Sequence, residues 1–388
     1  MTSNNNTHPQ NVLENHGTHT IFSVWNFRSA ASLAIQKETD QKDVLDKVSN
    51  GDSGLSLRGA QLSSQDLKEA FEKVCALVIN LNHSAAIRFP GNGASCVMGI
   101  GPLAWDILGL PDPAPQELND FKEIVGARYT AVATRGDLHF HLRAMNSSIC
   151  YDMALEISNI LSAVADPVEE VHGFRYWDGR SILGFVDGTE NPQGDQRAYF
   201  GLIGDQEPDY KGGSYLFVQK YIHNLKAFKA LSVEEQEKVF GRYRESDVEM
   251  SDEVKPSNSH SALANVGDDL KIIRDNMPFG NMTSNEMGTY FIAYASTFDT
   301  VNKMLISMFV GDPPGNYDRL LDFSTAKTGS LFFVPTLEML DSMSSGSFTL
   351  QNAAVLSSGQ GPAAENIHNN TVDLAQELQS LGIGSLKS

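Results

Sequence analysis

The sequence predicts an α+β fold that contains two copies of one unit, in which a strand is followed after a short break by a helix. The first copy spans residues 137–164 and the second spans residues 288–310. Successive strand-like segments are not regularly separated by crossover helices, so we expect the strands to pair antiparallel. Hydrophobic residues make up 41% of the 388 residues and charged residues 20%, a balance that allows a large buried core.

Charge and cysteine content limit the class of protein. The formal net charge of −19 repels phosphate backbones, so we expect no nucleic-acid partner. Cys75, Cys96 and Cys150 are widely spaced, which favours neither a disulfide framework nor a zinc site and fits a cytoplasmic protein. The sequence contains no run of 18 apolar residues, and its first residues do not have the pattern of a secretory signal peptide. We therefore expect no membrane partner.

The first elements follow from composition and periodicity. Residues 1–18 are rich in Asn, Thr and His, and this polar composition predicts a disordered arm. A strand is predicted from Ile21 over the segment IFSVWNF. Residues 65–80 form a predicted helix, because their apolar side chains recur on one helical face: Leu67, Ala70, Phe71, Val74 and Leu77.

The segment DLHFHLRA, residues 137–144, has the alternation of a strand. Leu138, Phe140 and Leu142 alternate with three polar residues, His139, His141 and Arg143. We expect a half-buried strand with both histidines on a solvated face. The alternative is a metal site, since His-x-His on a strand can bind a metal. An amphipathic helix is predicted next, over residues 147–164.

The second half repeats this order. Strands are predicted at residues 214–223 and 288–296, and a helix at 231–241 ends at Gly241. Another helix, TVNKMLISMF, follows the second strand directly. From residue 336 the composition turns to Ser, Gly, Ala, Asn and Gln, so residues 336–388 are predicted to be a flexible tail with a linker at 342–370.

Chemistry-bearing residues are densest between His172 and Pro192. Four glycines in this segment allow the backbone to approach a flat ligand closely, and Gly188 is one of them. Asp187 follows an apolar run, so we expect its carboxyl group to be partly buried, where its pKa can be tuned for proton transfer. The alternative role for Asp187 is to cap the turn that follows.

Two further segments carry candidate residues. Arg274 and Asn276 lie two positions apart in IIRDNMPFGNM, so an extended backbone points both the same way, where they can polarise an oxygen ligand. Taken alone, the pair fits a surface salt bridge equally well. His260 lies in SNSHSALAN, and this polar context by itself favours an ordinary histidine.

The order of these segments resembles a known family. GFVDGTENP at residues 184–192 is similar to the GxxDG signature of dye-decolourising peroxidases. Ser259–His260, RDNMPFG and GTYFIAYA follow as in the bacterial B-type branch, with 260 − 187 = 73 residues from Asp187 to His260. GDPPGNYDRLLDFSTA at 311–326 completes a resemblance that covers roughly residues 20–335.

The resemblance implies two ferredoxin-like domains with antiparallel sheets, at residues 19–180 and 181–335, and one haem b per chain between them. His260 would be the axial ligand of the haem iron, and Asp318 would hold its other ring nitrogen.

On the peroxide side, the resemblance implies that Asp187 moves a proton and that Arg274 favours charge separation. Asn276 would hydrogen-bond the peroxide, and Phe291 would line this face.

The implied function is a haem peroxidase that reduces hydrogen peroxide and oxidises dyes, phenolic compounds or Mn(II) in one-electron steps. The alternatives are a porphyrin- or haem-processing enzyme of the same superfamily and a non-catalytic haem-binding or iron-handling protein. Exposed Tyr176 and Trp177 could relay electrons from large substrates.

LGIGSLK, at residues 381–387, resembles an encapsulin cargo-loading peptide. Residues 379–388 would therefore direct a homo-oligomeric enzyme into an encapsulin shell in the cytoplasm.

Overall fold

The computed structural model describes residues 7–14, 17–28 and 62–350. Nine elements of the described ranges belong to the first half of the chain. They are β1 (His19–Phe27), α1 (Ser64–Arg88), β2 (Ser95–Ile100), α2 (Pro102–Leu108), β3 (Ile124–Val125), β4 (Thr130–Ala131), β5 (Leu138–Ala144), α3 (Ser147–Leu161) and β6 (Ala165–Phe174).

The first-half sheet has the strand order β2-β5-β1-β6, and all its pairs are antiparallel. This is the order of a ferredoxin-like βαββαβ unit, with α1 and α3 as its two helices. A capping box starts α1: Ser63 Oγ accepts a hydrogen bond from the Asp66 N–H, and the Asp66 carboxylate accepts one from the Ser63 N–H. Of the apolar side chains that predict this helix, Ala70, Phe71 and Val74 are buried, and Leu67 and Leu77 are partly buried against the same core.

The second half contributes the remaining elements. They are α4 (Gln196–Gly201), β7 (Ser214–His223), α5 (Leu225–Lys229), α6 (Val233–Phe240), α7 (His260–Ala264), β8 (Ile273–Arg274), β9 (Met277–Asn281), β10 (Glu286–Ala295), α8 (Phe298–Phe309), β11 (Ser324–Ala326), β12 (Ser330–Val334) and α9 (Leu337–Ser344), with short 3₁₀ helices at Pro208–Tyr210 and Arg319–Asp322. The main strands are ordered β12-β7-β10-β9, again antiparallel and ferredoxin-like.

The two sheets join at both edges. β12 pairs with β2 at Phe333↔Ile100, and β6 pairs with β9 at Gly173↔Phe279. Eight strands therefore follow one another in a closed ring. Side chains of both sheets meet inside it, and they form one buried cluster that includes Phe22, Leu216 and Tyr294. Helices cover the outer faces with a second, larger cluster.

The prediction of a solvated face on β5 was wrong. His139, His141 and Arg143 are each 0% exposed, because their side chains lie inside the ring of strands. Burial lowers the pKa of His139 to about 3, so its imidazole is neutral. Alternation in a sequence separates two faces of a strand, but it does not show that a second sheet covers the polar one.

The prediction of a disordered arm was also wrong for residues 7–14. Gln10 and Val12 are buried, and the Gln10 side chain bonds two other segments of the chain. Its Nε2 donates to the carbonyl oxygens of Met98 at 3.0 Å and Pro335 at 2.9 Å, and its Oε1 accepts from the Met98 N–H at 2.8 Å. We call residues 7–14 the N-terminal strap.

The predicted tail begins later than residue 336. The Thr336 side chain caps α9 by accepting from the Met339 N–H, and α9 buries Leu340 and Met343. The rest of that prediction, residues 351–388 with the 379–388 peptide, lies outside the described residues. Within the described ranges, no helix combines the length and apolar character that crossing a membrane requires.

Candidate active site

Six of the seven predicted site residues line a single pocket. It has an empty volume of about 1550 Å³ and lies against the outer face of the second-half sheet, beside α7 and α8. The six residues are Asp187, Gly188, His260, Arg274, Asn276 and Phe291. The seventh, Asp318, contacts His260 directly. The sequence motifs, which lie far apart in the chain, thus converge in space.

His260 is the first residue of α7, and its side chain is 25% exposed. Its Nδ1 lies 2.7 Å from Oδ2 of Asp318, a carboxylate that is 0% exposed. Asp318 is itself held in place, because its Oδ1 accepts from the Leu320 N–H at 2.8 Å. A carboxylate at Nδ1 favours the tautomer with the proton there, which leaves the Nε2 lone pair available to bind a metal.

The Asp187 carboxylate is held by Asn276. Nδ2 of Asn276 lies 3.3 Å from Oδ1 and 3.2 Å from Oδ2 of Asp187, and it donates to that carboxylate. Asn276 is anchored in turn, since its Oδ1 accepts from the Ile292 N–H on β10. Gly188, which has φ of +80°, lets the chain turn sharply after Asp187. The Asp187 carboxylate is therefore half-buried and oriented from outside its own segment.

Arg274 is positioned through its backbone. Its N–H donates to Asn191 Oδ1 at 2.9 Å, and its carbonyl accepts from Asn191 Nδ2 at 2.7 Å. Arg274 and Asn276 both line the pocket, as the two-residue spacing predicts. Between them, Asp275 is buried and bonds to Arg143 inside the ring of strands.

A second hollow meets the pocket at Asp187. Its empty volume is about 760 Å³, and it shares Val186, Asp187, Gly188, Arg274 and Asn276 with the larger pocket. From there it extends to exposed residues around Arg175. Small molecules could therefore reach the Asp187 carboxylate along this hollow. No motif in the sequence predicted it.

Several pocket residues were missed from the sequence. His223 is neutral, because burial lowers its pKa to about 4, and its two ring nitrogens bond the hydroxyl groups of Ser324 and Thr289 at 2.8 and 2.9 Å. Lys271 also lines the pocket, as does Arg242, which is paired there with Glu190 and Glu249. None of these residues belongs to a sequence motif, although His223 ends a predicted strand, so only the folded chain identifies them as pocket residues.

Comparison with known proteins assigns the family. The model for "Dyp-type peroxidase, N-terminal" matches residues 10–175, and that for "Dyp-type peroxidase, C-terminal" matches residues 178–339. The chain belongs to the Dyp-type peroxidase family. The dye-decolorizing peroxidase of Rhodococcus erythropolis is 48% identical over 279 residues, which cover 71% of this chain and 81% of that protein.

Solved structures of the Dyp-type family agree. A dye-decolorizing peroxidase from Bacteroides thetaiotaomicron is 45% identical with a TM-score of 0.75, over 87% of this chain and 99% of that one. The encapsulated DyP-type peroxidase of Mycobacterium smegmatis is 41% identical with a TM-score of 0.73, over 86% and 98%. A Rhodococcus jostii variant in complex with heme is 38% identical with a TM-score of 0.73, over 86% and 98%.

Membership in the Dyp-type family confirms the predicted α+β fold with two ferredoxin-like domains, the haem cofactor and the peroxidase function. The two family matches meet between residues 175 and 178.

The pocket of this Dyp-type peroxidase fits a haem group. Its walls are largely apolar, as a flat macrocycle requires, and Ser181 Oγ and Ser261 Oγ lack a hydrogen-bond partner among the described residues. No cluster of three His, Cys, Asp or Glu side chains exists in the described ranges that could hold a metal ion. A metal bound at His260 must therefore bring its other ligands with it, as haem iron does. The apolar side chains include Leu183, Phe240, Ile272, Phe291, Met304 and Leu305.

Proposed function

We propose that this pocket is the active site of a haem peroxidase that reduces hydrogen peroxide and oxidises small reductants in one-electron steps. The observation that carries the proposal is that one pocket joins the His260–Asp318 pair to the group of Asp187, Arg274 and Asn276. When bound, the haem supplies an iron centre that takes up the oxidising equivalents of peroxide and passes them on singly.

His260 would hold the iron of a bound haem through Nε2. Asp318 accepts a hydrogen bond from the Nδ1–H of His260. This bond fixes the plane of the imidazole ring and makes the imidazole a stronger electron donor. The buried carboxylate has a second bond to the Leu320 N–H, so it cannot swing away from the ring without losing that bond. Lys271 would supply positive charge to the carboxylates of a haem group, whereas Arg242 is already paired with Glu190 at 2.5 Å and Glu249 at 3.2 Å.

Asp187 takes the first proton from hydrogen peroxide and returns it to the departing oxygen. Asn276 keeps the carboxylate aimed by donating Nδ2–H to it. Arg274 stabilises the negative charge that develops as the O–O bond breaks, because a preorganised cation acts strongly on charge that develops nearby. Peroxide enters along the second hollow, which opens at Asp187.

The reductants are dyes, phenolic compounds and Mn(II). A solved relative is described as a DypB variant in complex with manganese, which supports the inclusion of Mn(II). Large substrates deliver electrons through Trp177, which is 78% exposed, and Tyr176, whose ring centroid lies 5.8 Å away. Tyr176 lines the hollow that reaches Asp187.

An absorption spectrum of the haem-loaded protein before and after one equivalent of peroxide tests this function. We expect a rapid change in the Soret band that reverses when a dye is added and oxidised. A haem-binding protein without peroxidase activity would show no rapid change. A haem-processing enzyme would lose the porphyrin absorption bands without oxidising the dye.

We also propose that the enzyme is a homo-oligomer that works in the cytoplasm, inside an encapsulin shell. Residues 379–388 would be the shell address, the segment that directs the enzyme into the shell. Two facts support this: the segment LGIGSLK, and the similarity to a relative described as the encapsulated peroxidase of Mycobacterium smegmatis.

A further inference from the structure

The ring of strands encloses a stack of aromatic and imidazole rings that the peroxidase site does not use. Tyr294 lies 6.2 Å from His141, His141 lies 4.8 Å from Phe22, and Phe22 lies 4.1 Å from Tyr290, measured between ring centroids. All three interplanar angles are 22° or less. Each of these four side chains is 0% exposed. Such a column of π-systems with titratable members is unusual in a core that could have been wholly aliphatic.

Within this stack, a hydrogen bond joins the phenol of Tyr294 to the imidazole of His141. The Tyr294 hydroxyl lies 2.9 Å from Nδ1 of His141. Burial raises the pKa of Tyr294, so the phenol carries its proton in the resting protein. Burial and the charge of Arg143 lower the pKa of His141 well below its usual value, so the imidazole is neutral and Nδ1 can accept that hydrogen bond.

The groups around His141 favour one tautomer. Its Nε2 lies 3.8 Å from Oδ2 of Asp275, beyond hydrogen-bond distance, and that carboxylate accepts from Nη1 of Arg143 at 2.9 Å. A proton on Nε2 is attracted by the Asp275 charge, and this tautomer leaves the Nδ1 lone pair for the Tyr294 hydroxyl. An imidazolium formed here would be repelled by Arg143 but attracted by Asp275, and both charges are already fixed in place.

One strand connects this pair to the haem pocket. β10 presents Phe291 to the pocket, and Tyr294 follows three residues later on the opposite face. Three residues of strand span about 10 Å, a short distance for electron transfer through protein. β10 also pairs with the segment that carries the proposed catalytic arginine, at Ala293↔Arg274 and Tyr294↔Ile273.

We propose that Tyr294 is a redox-active tyrosine that stores one oxidising equivalent when peroxide arrives and no reductant is bound. The inference rests on the proposed peroxidase function. One electron leaves the Tyr294 phenol and reduces, by one equivalent, the haem centre that peroxide has oxidised. The phenolic proton moves to Nδ1 of His141, which leaves a neutral tyrosyl radical beside an imidazolium. A later electron from a reductant, with return of the proton, restores the pair.

The low basicity of His141 does not block this step. An oxidised phenol is a far stronger acid than any imidazolium, so proton transfer is favourable even to a weakened base. Because Tyr294 is fully buried, the radical cannot contact substrates or other chains, which suits storage rather than substrate oxidation. Tyr221 lines the haem pocket itself, but its hydroxyl donates to the amide oxygen of Gln219 at 2.6 Å, and an amide is a poor proton acceptor.

The test is electron paramagnetic resonance on haem-loaded enzyme, freeze-quenched after peroxide without a reductant. We expect a tyrosyl signal in the wild type and its loss in Tyr294→Phe, which removes only a hydroxyl group. Tyr290→Phe is the control for the other buried phenol of the stack. Tyr290 lies on the same strand and face, but its hydroxyl is near the Glu169 carboxylate instead of an imidazole, and this variant should keep the signal. In D₂O, electron–nuclear double resonance of the wild type should detect one exchangeable deuteron hydrogen-bonded to the radical.

Three results would overturn the assignment: no tyrosyl radical in wild-type enzyme whose Soret band responds to peroxide, an unchanged signal in Tyr294→Phe, or a wild-type radical without an exchangeable deuteron. The wild-type measurements need no variant, so a folding defect cannot hide the answer. A Soret band that does not respond to peroxide would instead contradict the proposed peroxidase function.

Discussion

At the scale of single residues, the proposed iron ligand depends on one histidine. His260 is the imidazole that lines the pocket with a buried carboxylate at its other ring nitrogen. We expect His260→Ala to lose most of its haem, because the site has no other cluster of metal ligands among the described residues. Haem content per chain, measured from the spectrum after gel filtration, checks this.

The control for that variant is His172→Ala, which removes an exposed histidine paired with Glu170 on β6. It should retain full haem content. A His260→Ala protein that binds haem as the wild type does, with an unchanged Soret band, would contradict the proposed ligand.

The peroxide side allows the roles of two residues to be ranked. We expect Arg274→Leu to slow the reaction with peroxide by about 10²–10³-fold, the usual cost of removing a preorganised group that stabilises developing charge. Asp187→Asn should slow it less, because water in the adjoining hollow can carry a proton in place of the carboxylate. Stopped-flow rate constants over a series of peroxide concentrations measure both, and the reverse order would contradict this ranking.

Residues with a motif could be predicted from the sequence, and those without one could not. Asp187, Arg274 and Asn276 were found because their segments occur in a recognisable order. Ser181 and Arg242 line the same pocket but were not predicted, because neither is part of a motif, although Ser181 lies in the glycine-rich segment 172–192. Their contribution arises from chain folding that brings distant segments together, which local sequence does not encode visibly.

At the scale of elements, the N-terminal strap should contribute to stability through Gln10. Its side chain satisfies the N–H and the carbonyl oxygen of Met98 as well as the carbonyl of Pro335. Gln10→Ala leaves these buried groups without partners, so we expect the free energy of unfolding to fall by about 2–4 kcal/mol. Urea unfolding followed by circular dichroism measures this change.

The matched control is Gln65→Ala, which removes an exposed glutamine bonded only to Glu69 on the same helix. That change should stay within about 0.5 kcal/mol of the wild type. Equal stabilities of the two variants would show that the strap adds nothing to the fold.

Elements with apolar periodicity were predictable, whereas polar segments were not. The strand at Ser214–His223 and the buried stripe of α1 follow directly from spacing. The prediction for the strap failed because its buried contacts are hydrogen bonds between a glutamine side chain and backbone groups. A sequence does not show whether Gln10 is solvated or buried. α9 was missed because residues 337–344 adjoin a Ser- and Gly-rich stretch that dominates the composition.

At the scale of the whole molecule, three buried histidines make stability depend on pH. Burial lowers the pKa of His139 to about 3, that of His223 to about 4 and that of His141 well below its usual value. Below pH 6.5 the unfolded chain binds protons at these sites that the folded chain does not, so the free energy of unfolding falls as pH decreases. Each histidine contributes at most about 1.4 kcal/mol per pH unit.

We therefore expect urea unfolding between pH 6.5 and 5 to show a slope approaching about 4 kcal/mol per pH unit from these three groups. His139→Leu removes one of the three groups and should lower that slope toward two-thirds. A stability that stays constant from pH 6.5 to 5 would mean that these rings are not held neutral in the folded protein.

The arrangement of the two sheets as one closed ring could not be read from the sequence. Each sheet follows from strand patterns, but the joins rest on single pairs, Phe333↔Ile100 and Gly173↔Phe279, between segments far apart in the chain. The ring converts the polar face of β5 into an interior, which is why His139 and His141 were misplaced by local reasoning.

The proposed shell address can be separated from catalysis, because residues 379–388 follow the family match that ends at residue 339. Leu381, Ile383 and Leu386 are spaced as in an extended peptide that inserts side chains into pockets. Each buried aliphatic side chain contributes roughly 1.5–3 kcal/mol, and several copies on an oligomer would add avidity. We expect deletion of residues 379–388 to leave peroxide turnover unchanged and to stop co-assembly with encapsulin.

Replacing the three aliphatic residues with Ser should have the same effect as the deletion, since the apolar side chains supply the binding energy. The control replaces the polar neighbours Ser385, Lys387 and Ser388 with Ala and should still load. Peroxidase-to-shell stoichiometry after co-expression and purification of intact shells gives the readout. Wild-type stoichiometry for the deletion would rule out this segment as the address, whereas loss of loading in the control alone would place recognition in the polar residues.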